Sequence, residues 1–496
     1  MRKRVDRELA LPSSSTLGGL GRRRALSRAE WFRMAGLVLL LGGVAMGQRP
    51  RLDPQGDYAY DLPSTEAAVR DVSLDDAGFA WSAEMPEGDT VFLEFRLAET
   101  TGEEPAVTAA RGSASVRQVF EPKAAGRRFL DVSPLRAGDR VSLSGSGAKW
   151  QGGPARLFVY RNRPVAGRRV LVLAPHPDDA EIAAFGVYRQ SNADIVTITA
   201  GDSGWQNFKA LFPEEKEHYR IKGLLRAWDS ITVPMIGGVP PERARNLGYY
   251  NGRMAEMQKS PAQVFPPFRT VLEDPAYYRK LNVDLSLRGR PFEGTWDALV
   301  GDIAWELGRV KPEVIVTPHP ILDSHLEHQL TTVALAEALA RWKGDCEIYL
   351  YTNHAILDEA RPRGDRDAMT GLPAWQGADL RFSRVHSVPN TEEDRKLKLV
   401  ALEAMHDLRA FDLRDGADPL DESKKRALFR NDYYRRAPRP VELFLVATRE
   451  QVAALREDWL QTVQIARRPR SPAGSKNPAA NHQQAERRGA GNQPDR

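Results

Sequence analysis

The chain has 496 residues, a formal charge of +5, a hydrophobic fraction of 42% and one cysteine. This length favours two or three folded units with ordinary hydrophobic cores. A single thiol excludes an internal disulfide and a zinc site built from cysteines. The positive charge is concentrated near the two ends without a nucleic-acid-binding motif, so no nucleic-acid partner is expected.

The first 50 residues consist of a basic region followed by an apolar segment. Arginines are dense up to Arg33, and the segment Met34–Gly47 is uncharged. This segment is short for a helix that spans a bilayer, but its length suits the core of a signal peptide. We therefore predict an exported protein, periplasmic or otherwise extracytoplasmic. The segment is either cleaved or retained as a membrane anchor, which would be the one point of membrane contact.

Residues 51–165 have the pattern of a small antiparallel β domain. Stretches with alternating apolar and polar residues, such as Thr90–Arg96, are separated by Gly, Pro and Asp turns. This pattern predicts a β-sandwich-like fold. Trp81, Trp150 and Tyr160 are candidate contacts for a glycan, but core packing is the more common role of such aromatic residues.

Residues 166–465 alternate between apolar strands and amphipathic helices, which predicts an α/β domain with a mostly parallel sheet and helices on both faces. The predicted strands are Arg169–Ala174, Asp194–Thr199, Glu313–Thr317, Glu347–Tyr351 and Val441–Val446. The predicted helices are Glu181–Gln190, Glu214–Trp228, Trp296–Leu307, Leu326–Arg341 and Glu393–Arg409. Stretches 255–293 and 359–389 read as loop-rich insertions, and residues 466–496 as a disordered tail.

The most informative motif directly follows the first strand of this domain. It reads Pro-His-Pro-Asp-Asp and contains His176, Asp178 and Asp179. Ligands of doubly wound sheets bind at the carboxyl ends of the strands. A catalytic zinc has three protein ligands and an open position for water, and a carboxylate off the metal is needed to accept the water proton. The motif supplies two ligands and a base. Alternatively, an aspartate here only caps the following helix.

A second segment, rich in histidine, follows the strand Glu313–Thr317. It contains His319, His325 and His328, and the last two are three positions apart on one face of a helical turn. One of these two can complete the metal shell, while the other points to the developing oxyanion or the leaving amine. Both segments follow strands of one sheet, so we expect them to meet over a single cation. His319 and His354 are further candidates for the pocket lining, although structural roles explain both.

These paired motifs resemble the PIG-L / LmbE-like family over roughly residues 169–447. The resemblance implies a Rossmann-type metalloenzyme that removes acyl groups, usually acetyl from N-acetylglucosamine units. It also implies Zn²⁺ as cofactor, with Fe²⁺ as the alternative ion in the cell. The family pattern assigns five central roles: zinc ligands His176, Asp179 and His328, general base Asp178, and oxyanion-stabilising His325.

The resemblance extends to positions outside the two motifs. Arg220 occupies the place of an arginine thought to hold substrate, and Asn251 stands where the family commonly has an aspartate before glycine. Asp323 fits an acidic position of the family, whereas Glu327 replaces its usual aspartate. A late Lys-x-x-Ala-x-x-x-x-His pattern is matched by Lys398, Ala401 and His406. The departures leave every implied metal ligand in place and concern the identity of the substrate.

The sequence thus predicts an exported zinc-dependent N-deacetylase that acts on an N-acetylated sugar, glycan or glycolipid. In the expected mechanism, Asp178 accepts a proton from water and His325 stabilises the oxyanion. Two alternatives stay open: a non-catalytic glycan-binding protein, and a metallohydrolase of another N-acyl or ester bond.

Overall fold

A computed structural model describes residues 51–81, 90–135, 139–409 and 433–467 of the chain. The predicted signal or anchor region, 1–50, lies outside these residues, as does the tail from 468 onward. Within the described part, no helix combines the length and the apolar character needed to cross a bilayer. The predicted mixed α/β class is confirmed, with two separate sheets.

The first sheet is antiparallel throughout and has nine strands. Its strands are β1 Ala68–Asp75, β2 Gly78–Ala80, β3 Thr90–Thr100, β4 Ala106–Arg111, β5 Ala114–Val119, β6 Gly126–Asp131, β7 Arg140–Ser146, β8 Ala148–Trp150 and β9 Gly153–Tyr160. They follow the order β5-β4-β7-β2-β1-β9-β3-β6, and β8 pairs with β3. Buried residues of all these strands form one hydrophobic core.

The two end strands of this sheet are bridged by one side chain. Gln118 of β5 donates a hydrogen bond to the carbonyl of Phe129 at 2.8 Å and accepts one from the amide of Asp131 at 3.1 Å, both in β6. Its amide group thus takes the place of a neighbouring backbone. The region is therefore a single curled sheet around one core, in place of the two-sheet sandwich that the sequence suggested.

The aromatic residues considered as glycan contacts belong to the packing of this region. Trp81 and Tyr160 are 1% and 0% exposed. Trp150 packs against the same core, and its indole donates to the carbonyl of Asp75 at 3.1 Å. Core packing, the more common role, accounts for these side chains.

The second sheet has seven strands and is mostly parallel. Its strands are β10 Arg169–Ala174, β11 Asn192–Thr199, β12 Ala244–Tyr249, β13 Val314–Pro318, β14 Glu347–Tyr351, β15 Arg384–Pro389 and β16 Val441–Ala447. The order is β12-β11-β10-β13-β14-β16-β15, in which β16 runs antiparallel to both of its neighbours, β14 and β15, and the other pairings are parallel. Strand β12 was not predicted. The prediction of loop for 359–389 is wrong at its end, because β15 forms the edge strand there.

Helices cover both faces of this sheet. They are α1 Asp179–Gln190, α2 Glu215–Thr232, α3 Met254–Lys259, α4 Leu285–Arg288, α5 Trp296–Val310, α6 Leu326–Arg341, α7 Glu392–Ala404, α8 Tyr433–Arg436 and α9 Arg449–Arg467. Alternate residues of β10 enter two different cores: Leu171 and Leu173 pack with α5, α6 and α9, whereas Val170 and Val172 pack with α1 and α7. Helix α9 was not predicted, and it continues two residues into the predicted tail.

The curled sheet docks on edge strand β15 of the parallel sheet. Ser387 donates from its amide to Thr90 at 2.8 Å and from its hydroxyl to Asp131 at 2.6 Å. Asn162 of the β-rich region donates to the carbonyl of Val385 at 3.0 Å. Burial raises the pKa of Asp131, although hydrogen bonds from Ser133 and Ser387 oppose this effect. The two regions are therefore joined by buried polar bonds as well as by a shared hydrophobic core.

Candidate active site

The site lies where the strand order of the parallel sheet reverses. Strands β10 and β13 are parallel neighbours, with Val172 opposite Val316. From β10 the chain continues to β11 on one side, and from β13 to β14 on the other. A crevice at the carboxyl ends of the strands is expected at such a switch point. The two histidine-containing segments follow these two strands, and the structure brings them together.

The turn between β10 and α1 is tight and strained. Asp178 has φ of 128°, a left-handed conformation that favours glycine. Such a backbone costs about 1–3 kcal/mol and is found mostly at functional sites. The amide of His176 donates to Asp179 Oδ2 at 2.9 Å, which closes the turn. As a result, three ionisable side chains are crowded at the start of α1.

Three potential ligand atoms form an equilateral triangle at the centre of the site. His176 Nδ1 lies 3.2 Å from Asp179 Oδ2, His328 Nε2 lies 3.2 Å from the same oxygen, and the two nitrogens are 3.2 Å apart. Atoms bound tetrahedrally to zinc at about 2.0–2.1 Å would be about 3.3 Å from each other. The spacing and the donor types therefore fit a zinc-sized divalent cation with one position open.

The remaining polar atoms of the three side chains are also engaged. His176 Nε2 donates to Glu327 at 2.9 Å, and His328 Nδ1 donates to Asp323 at 3.1 Å. Asp179 Oδ1 accepts from the Asn353 amide at 2.8 Å. Metal-binding histidines almost always donate their other ring N–H to such a partner, which fixes the tautomer. This outer shell is a second feature typical of a metal site.

A different set of three imidazoles offers a second possible arrangement. Ligand atoms of His176, His325 and His328 lie within 4.8 Å of one another. This spread exceeds the separation of about 3.3 Å expected around a tetrahedral zinc. The triangle that includes Asp179 is tighter and therefore fits a zinc-sized cation better. His325 keeps a buried Nδ1 without a hydrogen-bond partner among the described residues.

The pKa values of the two adjacent carboxyl groups, Asp178 and Asp179, are shifted in opposite directions. Burial raises the pKa of Asp178 to about 7, with Arg226 opposing the rise and Asp179 adding to it. Burial also acts on Asp179, but His328 and His176 hold its pKa well below the usual range. Burial and the neighbouring imidazoles lower the pKa of His325 well below its usual value. The site thus combines an ionised carboxylate, Asp179, with a carboxyl group that titrates near neutrality, Asp178, and with a neutral imidazole, His325.

Asn251 is connected to the triangle of His176, Asp179 and His328 through Glu327. Its amide donates to Glu327 and its carbonyl accepts from Ser203, while Gly252 N donates to the same glutamate at 2.8 Å. Glu327 thereby links Asn251 to His176. The two departures from the family pattern are therefore in contact with each other. An aspartate at 251 would place a second carboxylate against Glu327.

Arg220 lies apart from this network in the described contacts. Its guanidinium binds Glu217 at 2.7 Å and the hydroxyl of Tyr277 at 3.0 Å. The late motif has structural contacts: Lys398 binds buried Glu442 at 2.7 Å, and His406 binds Asp229 at 2.7 Å. A substrate-binding role for Arg220 stays a prediction.

Several residues around the site were not identified from the sequence or had an uncertain role. Asn353 and His354 follow β14, the next strand end, and the His354 ring centroid lies 5.0 Å from that of His328. Their position after a strand was the available signal. Arg226, which binds Asp178 at 2.9 Å, lies on α2 and had no distinguishing signal. His319 has a structural role, because its Nδ1 accepts two backbone amides.

Comparison with known proteins supports the resemblance. Residues 171–339 match the family model described as PIG-L: GlcNAc-PI de-N-acetylase. The predicted resemblance to the PIG-L / LmbE-like family is confirmed over this segment, which holds both histidine-containing motifs. No curated protein matches the chain.

Two solved structures illustrate the likeness. One is a deacetylase triple mutant from the teicoplanin biosynthetic pathway, with 17% identity, a TM-score of 0.32, and coverage of 56% of this chain and 98% of that chain. The other is a pseudoaglycone deacetylase of an antimicrobial reagent, with 17% identity, a TM-score of 0.30, and coverage of 57% and 98%. Similarity at this level carries no inference about the substrate of this protein.

Proposed function

We propose that the protein is a divalent-metal-dependent hydrolase that removes an acyl group, acetyl in the first instance, from the nitrogen of an amino-sugar-containing substrate. One observation carries the proposal: the 3.2 Å triangle of His176, Asp179 and His328, with a carboxylate or amide partner behind each side chain. The family match over 171–339 supports the reaction class.

The donor set determines which cation fits. Two imidazoles and one carboxylate suit Zn²⁺, and they also suit Fe²⁺. When bound, the cation would lower the pKa of a water molecule and polarise the acyl carbonyl. Glu327 and Asp323 would orient the two imidazoles for this purpose.

The neighbouring side chains supply the proton transfers. Asp178, whose pKa is raised to about 7, accepts a proton from water as the new C–O bond forms. His325 is neutral and can donate an N–H to the carbonyl oxygen as it gains negative charge. Asp178 then returns the proton to the nitrogen as the C–N bond breaks. The products are a carboxylic acid and a free amine.

The decisive experiment compares metal content and amide hydrolysis in matched variants. Asp178→Asn is expected to keep the metal and to lose about 10²–10⁴-fold in turnover, because it removes the proton acceptor alone. His328→Ala is expected to lose both. The control His386→Phe changes a buried histidine in strand β15, outside the site, and is expected to keep both.

Acetate and primary amine release from a panel of N-acetylated sugars would identify the substrate class. Unaltered turnover by Asp178→Asn would contradict the assignment of the base. Glycan binding by the unmodified chain without release of acetate would instead favour a binding protein. Release from esters or from acylated amines that lack a sugar would favour another metallohydrolase.

We further propose export, on the basis of the basic region followed by the uncharged segment Met34–Gly47. Fractionation of cells and N-terminal sequencing of the mature chain test this proposal. Cleavage near Gly47 is expected for a signal peptide, and an intact N-terminus in the membrane fraction for an anchor. An intact chain in the cytoplasmic fraction would contradict export.

A further inference from the structure

Arg226 connects the strained turn after β10 to a distant part of the chain. One guanidinium nitrogen donates to Asp178 Oδ2 at 2.9 Å and to the carbonyl of Pro177 at 2.7 Å. The other terminal nitrogen lies 3.4 Å from Asp407 Oδ2. The guanidinium lies against Gly201, where an added Cβ would be 2.9 Å from two of its nitrogens. Glycine at 201 is therefore required for this placement.

Asp407 is itself held firmly on the far side of Arg226. It lies in the short helical turn His406–Arg409, which follows α7. Lys222 approaches its Oδ1 to 3.3 Å, and Asn207 donates to the same oxygen at 2.5 Å. The turn is anchored to α2, because His406 donates to Asp229 from its ring at 2.7 Å and from its backbone at 2.8 Å. Every link in this chain of contacts is at hydrogen-bond or ion-pair distance.

The arrangement has a consequence for the two oxygens of Asp178. Arg226 binds Oδ2, so Oδ1 is the oxygen that can face a water molecule. A single arginine shared by two carboxylates neutralises Asp178 less completely than an arginine devoted to it alone. An arginine with two fixed partners also has little freedom to rotate. It therefore holds the carboxyl group of Asp178 in one orientation, on a residue whose backbone is strained.

We infer that Arg226 and Asp407 form a positioning relay, which fixes the Asp178 carboxyl group and directs its Oδ1 toward the water that attacks the substrate. This inference rests on the proposed function. It gives the segment after α7 a part in the active site, although that segment supplies no metal ligand in the triangle. Arg226 and Asp407 are positioning residues, since each acts through Asp178.

A double-mutant cycle tests the relay, with kcat, KM, metal content and thermal stability measured for each variant. Arg226→Gln is expected to lower kcat about 100-fold and Asp407→Asn about 10-fold, the range seen when an outer-shell partner is removed. KM and metal content are expected to stay unchanged. The double variant should lose no more kcat than Arg226→Gln alone, because both changes break one relay.

Multiplying losses of kcat in the double variant, or unchanged kcat in either single variant, would overturn the relay. Arg226→Lys keeps the charge but offers one point of contact, so it should fold and retain only part of the turnover. If Arg226→Gln does not fold, unchanged kcat in Arg226→Lys would equally overturn the relay. The control Arg279→Gln removes a buried arginine paired with Asp302 elsewhere in the domain. It is expected to lower stability and leave kcat unchanged.

The relay and the proposed function can fail separately. If Asp178→Asn hydrolyses amides normally, the assignment of the base in the proposed function fails. If Asp178→Asn is inactive while Asp407→Asn keeps full kcat, only the relay fails.

Discussion

The regions around the two sheets of this protein both bury charged side chains, but these side chains have different roles. In the curled antiparallel sheet, Arg128 and Glu121 are 0% and 3% exposed and bind each other. Arg128 also donates to the carbonyls of Pro54 and Gly56, and Tyr58 donates to Glu121. The α/β domain also buries structural pairs such as Arg245 and Glu306, but a separate group of buried charges lies at the carboxyl edge of its parallel sheet. There burial raises the pKa of Asp178 to about 7, and the buried Nδ1 of His325 has no hydrogen-bond partner within the part of the chain that the structure describes.

The direction of the strands explains this difference. In a parallel sheet every strand ends at the same edge, so polar residues that follow several strands meet in one crevice. In an antiparallel sheet successive strands end at opposite edges, so the same residue types are dispersed. A buried ion pair of the first sheet is therefore a local structural feature. The carboxyl edge of the second sheet instead brings several ionisable side chains into one crevice.

The largest expected effect comes from exchanging one buried aspartate in each region for asparagine: Asp179 at the start of α1, and Asp131 at the end of β6. Asp179→Asn is expected to lose metal and at least about 10³-fold in activity, because it removes the charged member of the proposed ligand set. Asp131→Asn is expected to cost about 1–3 kcal/mol of stability through its bonds to Ser133 and Ser387, with kcat intact. Metal analysis, acetate release and denaturant unfolding distinguish the two outcomes. Loss of kcat in folded Asp131→Asn would contradict the view that the buried charges of the β-rich region have a structural role only.

The next effect concerns stability alone. Arg128→Met leaves Glu121 buried without its partner, which typically costs about 3–5 kcal/mol. Denaturant unfolding measures this loss, and the metal content of the folded fraction should remain that of the unmodified chain. The double variant Arg128→Met, Glu121→Leu should recover part of the stability, because no charge is left unpaired. A larger loss in the double variant would contradict this account.

The smallest effect is a pH dependence of the free energy of unfolding. Burial raises the pKa of Asp131 above 3.8, so the folded state binds this proton more tightly than the unfolded chain does. The resulting stabilisation is full below about pH 4 and is lost as the pH rises through the raised value. The stability of the unmodified chain relative to Asp131→Asn should therefore decrease from pH 4 upward. A difference that is constant with pH would contradict the shift.

Some parts of the fold could be predicted because their sequence signals are local. The bounds of β10 and β14 agree with prediction, since each is a nearly continuous apolar run. Strand β12 was missed because it buries Arg245 and Asn246, which are stabilised by distant partners such as Glu306. Strand β15 contains His386 and Ser387, and among the described strands it pairs with β16 alone. A strand that contains buried polar residues lacks the apolar pattern by which strands are predicted, because the hydrogen-bond partners of those residues are distant in the sequence.

The same distinction applies to the site. The two short motifs, and the expectation that both follow neighbouring strands, brought His176 and the aspartate pair together with the later histidines. The resemblance to the PIG-L / LmbE-like family then implied His176, Asp179 and His328 as the ligand set. The role of Arg226 could not be predicted, because it depends on how α2 and the turn after α7 pack around Asp178. Nothing in a run of helical residues distinguishes this arginine from its neighbours.

The bridge made by Gln118 has a consequence for the β-rich region as a whole. An unpaired strand edge is a template onto which another chain can add, and it is therefore an aggregation hazard. Gln118 satisfies a carbonyl and an amide at the margin of β6 and leaves its own side chain 5% exposed. Edge strand β15 of the other sheet is likewise hydrogen-bonded to Thr90 and Asp131. Two strand edges, those of β6 and β15, are therefore covered by contacts within the chain. These two edges are thus less accessible to strand addition by another chain.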